Sequence, residues 1–211
     1  EPGGTPVVLS GLPQADRRGA SVTVVPDGRV LIFGGLSSDG RLLTQAHWFD
    51  VASKSFKPAT EELPHARAGH ASLVLTDGRV LFAGGVDARL SLIEGAQVWD
   101  PRSGAVTVLA RDALVDRVGA TATLLTDGHV LLEGGQDRQG QATRAAVLRT
   151  DTWQAVAISD AEATRLRSGT TTFAVAATLP PEASNNAAPD QLIALRFSRA
   201  ADVPTVNART V

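Results

Sequence analysis

The chain has 211 residues, 43% of them hydrophobic, and a formal net charge of −2, a composition ordinary for one or two folded domains and unlike that of a disordered chain. With 20 basic against 22 acidic residues and no basic run of five, it offers no polybasic field to nucleic acid or anionic lipid, and no apolar stretch nears the ~18 residues of a membrane-spanning helix. The absence of Cys excludes disulfides, thiolate zinc sites, thiol nucleophiles and iron-sulfur clusters.

Residues 1–16 open without Met and contain Val7-Val8-Leu9, which stands 100 residues before Thr107-Val108-Leu109. The offset predicts that this segment is the outer strand of a preceding or closing unit, and the start without Met predicts a processed or excised chain. Only two of the 20 basic residues, Lys54 and Lys57, are lysine, which fits a GC-rich bacterial gene.

A repeat then takes over. The decapeptides PDGRVLIFGG (26–35), TDGRVLFAGG (76–85) and TDGHVLLEGG (126–135) recur with a step of 50 residues, and a fixed period of this length is the mark of a repeat architecture. In each copy a short β-branched run comes first: ASVTVV (20–25), ASLVLT (71–76) and ATATLL (120–125). Each run enters an Asp-Gly pair, Asp27-Gly28, Asp77-Gly78 or Asp127-Gly128, which predicts a type I′ hairpin turn with positive φ at both central positions. A second strand, RVLIF, RVLFA or HVLLE, follows and ends at Gly34-Gly35, Gly84-Gly85 or Gly134-Gly135, where missing Cβ atoms permit close backbone approach. Third strands are expected at HWFD (47–50), QVWD (97–100) and VLRT (147–150), all in phase, and fourth strands at SFKPA (55–59), AVTVL (105–109) and QAVAI (154–158). Four antiparallel strands per unit of ~50 residues describe the blade of a β-propeller.

These residues resemble kelch repeats. The resemblance rests on Arg-x-Gly at Arg17/Gly19, Arg67/Gly69 and Arg117/Gly119, on the Asp-Gly and Gly-Gly pairs, and on an aromatic residue near the third-strand Asp. It covers roughly residues 5–158. The third copy departs, with Leu148 and Arg149 where the first has Trp48 and Phe49, and the family's fourth-strand Trp is replaced by Phe56 and Val106. The resemblance implies an all-β fold of kelch-type blades: blade 1 over 17–66, blade 2 over 67–116 and blade 3 over 117–164. A fourth blade is expected to begin at 165–176, since Arg167-x-Gly169 falls in phase, and to be interrupted, since Asp-Gly and Gly-Gly are missing at 177/178 and 184/185.

Residues 177–211 resemble the opening of a bacterial Ig-like domain of the S-layer and surface-protein type, on Pro180-Pro181, the strand 192–197 with Ser198 after Phe197, and Asp202 to Val206. Such a sandwich needs about 100 residues, so the segment is expected to be incomplete, as is a propeller of three blades.

The candidate binding residues lie in the loops after Gly-Gly: Ser37 and Asp39, then Asp87 and Arg89, then Asp137 and Arg138. Successive blades would set these loops side by side on one face, where a rigid scaffold concentrates recognition. No catalytic residue is expected. His65 and His70, with four residues between them, lack the Cys pair of a zinc finger. Glu61-Glu62 is an acid pair in a loop, and His47 and His129 fall at unrelated repeat positions. Kelch proteins include copper radical oxidases, whose site implies Tyr and Cys, and this chain has neither. No metal or cofactor is expected. The repeat-signature residues Asp27, Gly28, Gly34, Gly35, Asp77, Gly78, Gly84, Gly85, Asp127, Gly128, Gly134 and Gly135 are expected to be turn and packing chemistry.

The expectation is a non-enzymatic interaction or assembly module of a secreted or cell-surface bacterial protein, partnered by further blades of the same polypeptide, by neighbouring subunits, or by carbohydrate. The alternatives are a larger kelch enzyme with its catalytic residues elsewhere, carbohydrate-active or oxidative, and the shell or delivery region of a secreted toxin.

Overall fold

The computed structural model describes residues 11–13, 16–60 and 63–168, together with the backbone of two later strands, Val175–Leu179 and Ala194–Phe197. The first described sheet contains β1 (Ser21–Val24), β2 (Val30–Phe33), β3 (His47–Asp50) and β4 (Ser55–Pro58). The second contains β5 (Ala71–Val74), β6 (Val80–Ala83), β7 (Ala96–Trp99) and β8 (Val106–Val108). The third contains β9 (Thr121–Leu124), β10 (Val130–Glu133), β11 (Ala146–Leu148) and β12 (Ala155–Ala157). All three are four-stranded antiparallel meanders in sequence order. A helix, α1 (Asp160–Ser168), follows, and β13 (Val175–Leu179) pairs with β14 (Ala194–Phe197).

The turn between the first two strands of each sheet differs from the expected type I′. Val25 N donates to Arg29 O at 2.9 Å and Gly28 N to Val25 O at 2.9 Å, with φ of +85° at Gly28. Lys54, Leu90 and Trp153 are the non-glycine residues with positive φ among those described, so Asp27 is not left-handed. This is a three-residue type I turn closed by a glycine bulge. The Asp acts through its side chain instead: Asp27 Oδ1 accepts from Arg29 N at 3.0 Å, as Asp77 does from Arg79 N at 3.0 Å and Asp127 from His129 N at 2.9 Å.

The expected 50-residue phase also slips once. Val30 pairs with Phe49 and Val80 with Trp99, but Val130 pairs with Leu148. Leu148 therefore takes the place of Phe49 and Trp99, not that of Trp48 as the phase had it. One residue is missing from the third repeat between Thr143, which still bonds Gly135 O as Leu43 bonds Gly35 O, and Ala145, which accepts from Ile158 N as Ala46 accepts from Ala59 N.

The sheets stack through their flat faces. The face of the first sheet that looks toward the second, its leading face, carries Leu31, Phe33 and Trp48. These pack on Val80, Phe82 and Trp99 of the second sheet's trailing face. One sheet further on, Leu81, Ala83 and Val98 pack on Val130, Leu132 and Leu148. Alternation along each strand sends neighbouring side chains to opposite faces, so every central strand is apolar on both.

The Gly-Gly pairs fit where the sheets touch. A Cβ on Gly34 would lie 2.0 Å from Arg67 O, and one on Gly84 2.1 Å from Arg117 O. Gly35 N donates to Arg67 O at 2.9 Å and Gly85 N to Arg117 O at 2.8 Å, while Gly69 N donates to Gly19 O and Gly119 N to Gly69 O at 2.8 and 2.7 Å. These bonds join sheet to sheet beside the edge strands β1, β5 and β9.

After the third sheet the repeat ends in a different element. Arg167, placed by the phase in the Arg-x-Gly turn of a fourth unit, lies in the last turn of α1, and the helix crosses the expected 164/165 boundary. Ser159 caps the helix, accepting from Glu162 N at 3.2 Å, with Asp160 and Glu162 in the first turn and Arg165 and Arg167 in the last. α1 sets Ala163 and Leu166 against Leu125, Leu131, Ala145 and Val147, the leading face of the third sheet. The other expected boundary, 176/177, falls inside β13, which pairs with β14 across it. The rest of the segment expected to open an Ig-like domain lies outside the described residues.

Candidate interaction surfaces

The loops after Gly-Gly form three equivalent turns. Ser37 N donates to Arg41 O, Asp87 N to Ser91 O and Asp137 N to Gln141 O, each at 2.9 Å. Residues 36, 86 and 136 bridge back to residues 18, 68 and 118, each just past the regularly spaced Arg17, Arg67 and Arg117. The inter-sheet bonds at Gly19, Gly69 and Gly119 thus set the turns in a row along one rim.

Most of the predicted binding groups serve their own turns. Asp87 Oδ1 accepts from Arg89 N at 2.8 Å and Ser91 N at 2.9 Å, and Asp137 Oδ1 from Gln139 N at 2.9 Å and Gln141 N at 2.8 Å. Ser37 Oγ accepts from Arg41 N at 3.2 Å and donates to Asp39 Oδ1, and Asp39 pairs with Arg41 at 2.6 Å. The Ser37 hydroxyl, and next Arg41, hold the Asp39 carboxyl down to about 2. Arg138 donates to Glu94 of the neighbouring sheet at 2.6 Å, and Glu94 also meets Arg111 at 3.2 Å. Arg89 is exposed and makes no ion pair among the described residues. The row is an ordered, charge-balanced rim.

Three of the four histidines are held in structural contacts, and His65 is exposed. His47 Nδ1 lies 2.9 Å from Arg17 Nη2, and His70 Nε2 2.8 Å from Ser21 Oγ, with its ring edge-on to Phe33 at 5.5 Å. His129 Nδ1 faces Thr150 Oγ1 at 3.4 Å. Among the described residues no three His, Asp or Glu side chains converge on a point that could hold a metal ion, and no helix is long and apolar enough to cross a membrane. Glu61 and Glu62 lie outside the described residues.

A second surface, absent from the sequence reading, is the trailing face of the first sheet. Val22 is 69% and Val24 61% exposed, and Phe49 and Phe56 are half-buried against each other with ring centroids 4.9 Å apart. The residues at the same places in the next sheets are more covered, with Leu124, the third sheet's counterpart of Val24, 37% exposed. Trp99 is fully buried, Val74 and Val106 pack in the joint between the first and second sheets, and Leu148, Ala122 and Ala155 in the joint between the second and third. The signal was present in the sequence as four large apolar residues on one side of a repeat, but assigning them to an open face requires the stacking order.

These features define an array of repeated, face-packed four-stranded antiparallel sheets. No family model matches the chain, and no curated protein does. Among solved structures, one described as "Structure of YjhT" shares the fold with a TM-score of 0.58 at 17% identity. The match covers 68% of this chain and 52% of that one, so this chain spans about half the length of that structure.

Proposed function

We propose that the array is a kelch-type, propeller-derived interaction and assembly module of a secreted or surface-displayed bacterial protein, with the segment after α1 opening an Ig-like domain. The supporting observation is the trailing face of the first sheet, where Val22 and Val24 stand 69% and 61% exposed, while their counterparts are half-buried at Ser72, Val74 and Ala122 and 37% exposed at Leu124. A contiguous apolar face of this kind marks a site of protein contact. Its partner is protein, either further blades or neighbouring subunits, and the rim of turns carrying Asp39, Arg89 and Arg138 is the secondary contact, open to protein or carbohydrate.

A photo-crosslinking residue placed at position 22 of the full chain in a bacterial host tests this reading. Adducts at position 22, with none from a control at the exposed Ala52, are expected. A position 22 as silent as position 52 would overturn it.

A further inference from the structure

Among the described residues, the two ends of the array carry the two unfilled halves of one joint. Inside the array, each joint uses the same four backbone atoms. The N–H of the second glycine and the Gly O of the leading sheet meet the Arg O and Gly N–H of the trailing sheet: Gly35 N with Arg67 O, and Gly19 O with Gly69 N. The next joint repeats this with Gly85 N, Arg117 O, Gly69 O and Gly119 N. At the start of the array, Gly19 N has no partner among the described residues and Arg17 O accepts only a long local bond from Ala20 N at 3.4 Å. At its end, Gly119 O and Gly135 N have none.

The side chains follow the same pattern. The trailing face of the first sheet offers Val22, Val24, Phe49 and Phe56. The leading face of the third offers Leu125, Leu131 and Val147, the counterparts of Val25, Leu31 and Trp48 in the first joint. Gly134 is shaped for a joint that is not filled among the described residues. Gly34 and Gly84 face a carbonyl 2.0 and 2.1 Å from a would-be Cβ, whereas no atom of the described residues lies within 4 Å of the Cβ position on Gly134.

What covers the third sheet's leading face is α1, and the cover is slight. Ala163 is the helix residue that is buried, Leu166 is half-buried, and the one ion pair from α1 to the sheet, Arg167 with Glu133 at 3.6 Å, is largely exposed on the arginine side. A four-stranded sheet would bury the same apolar row along its length and fill the two backbone groups that α1 leaves open.

We propose that the trailing face of the first sheet docks on the leading face of the third sheet in a second copy of this chain, with α1 giving way. The inference rests on the assembly reading above and continues the two internal joints across chains. It makes the contact head-to-tail, so that copies either close into a ring or extend as a filament.

Light scattering and sedimentation of the full chain across a wide concentration range test it. The expected result is a mass that rises from 21.9 kDa to a multiple of it. Val22→Arg with Val24→Arg, two exposed positions, should weaken association by about tenfold or more. Gly134→Ala should do the same through a clash that exists only in the joint, while Gly140→Ala, with a similar φ of +74° and equally open surroundings, should leave association unchanged. Leu166→Asp, which loosens α1, should strengthen it. A chain that stays at 21.9 kDa with or without Leu166→Asp overturns the proposal, as do oligomers indifferent to Gly134→Ala. Crosslinks from position 22 to a different protein, with none between copies, would end the second-copy contact while leaving the interaction reading intact; no adduct at all would end both.

Discussion

The guanidinium of Arg67 donates to the carbonyl of Gly84 at 3.0 Å, tying the entry of the second repeat to the glycine that ends its second strand. Arg117 reaches Gly134 O at 3.1 Å and Arg17 reaches Gly34 O at 3.4 Å across the same span of 17 residues. Arg67 is fully buried, with its remaining donors on His65 O and Gln97 Oε1. No carboxylate pairs with it among the described residues, so carbonyl dipoles alone solvate the charge, and burial pushes it down to about 10. A buried cation held this way is sensitive to loss of any donor, because each stranded acceptor keeps its desolvation penalty.

Arg67→Ala is therefore expected to destabilise the chain by about 3 kcal/mol, since it strands the buried Gly84 carbonyl, takes one of two donors from Gln97 Oε1 and empties a fully buried side-chain site. Arg17→Ala should have a smaller effect, because its contact with Gln45 O is exposed. Urea midpoints of the two variants decide the order, and equal shifts would contradict it.

Gly84→Ala and Gly134→Ala are the same substitution at equivalent turns with φ of +62° and +64°. Both carry the left-handed backbone strain of about 1 kcal/mol, but only Gly84→Ala drives a methyl into Arg117 O. At concentrations where the chain is monomeric, Gly84→Ala should lower the melting temperature far more than Gly134→Ala. Similar melting temperatures would mean the sheets are not packed through this glycine.

Leu90 holds a φ of +58° at the place where the neighbouring repeats have Gly40 and Gly140, and its side chain is 62% exposed. Leu90→Gly relieves the strain and gives up little packing, so a gain of about 0.5–1 kcal/mol is expected. A loss of stability in urea titration would show that Leu90 packs in the folded chain.

His70 is buried beside Phe33 and Phe82, and burial, followed by the nearby Arg67 charge, pushes it from 6.5 down to about 3. Its ring is neutral in the fold. The unfolded chain binds the proton below about 6.5 and the folded chain only near 3, so stability is full above the higher value and declines as pH falls between the two. In denaturant midpoints measured across that window, His70→Gln should flatten the decline relative to the parent chain. Parallel curves would show that His70 takes no part in it.

The 50-residue step, the Asp-Gly and Gly-Gly pairs and the alternation of Val, Leu and Phe were enough to place all twelve strands of the three sheets, because period-two burial and turn chemistry are local properties written residue by residue. The same locality explains α1. Ser159 and Glu162 spell a capping pair, but the phase of Arg167 and Gly169 argued for another turn, and a periodic signal cannot report where the period ends.

What only the tertiary structure decided is which atoms meet between repeats. That Gly34 must lack a Cβ because Arg67 O lies against it, that Asp87 and Asp137 spend their carboxylates on their own turns, and that Val22 and Val24 face outward while Trp99 is sealed all depend on the stacking of one sheet on the next. Those contacts join residues about a repeat apart, and a sequence pattern that is the same in every copy cannot distinguish a covered face from an open one.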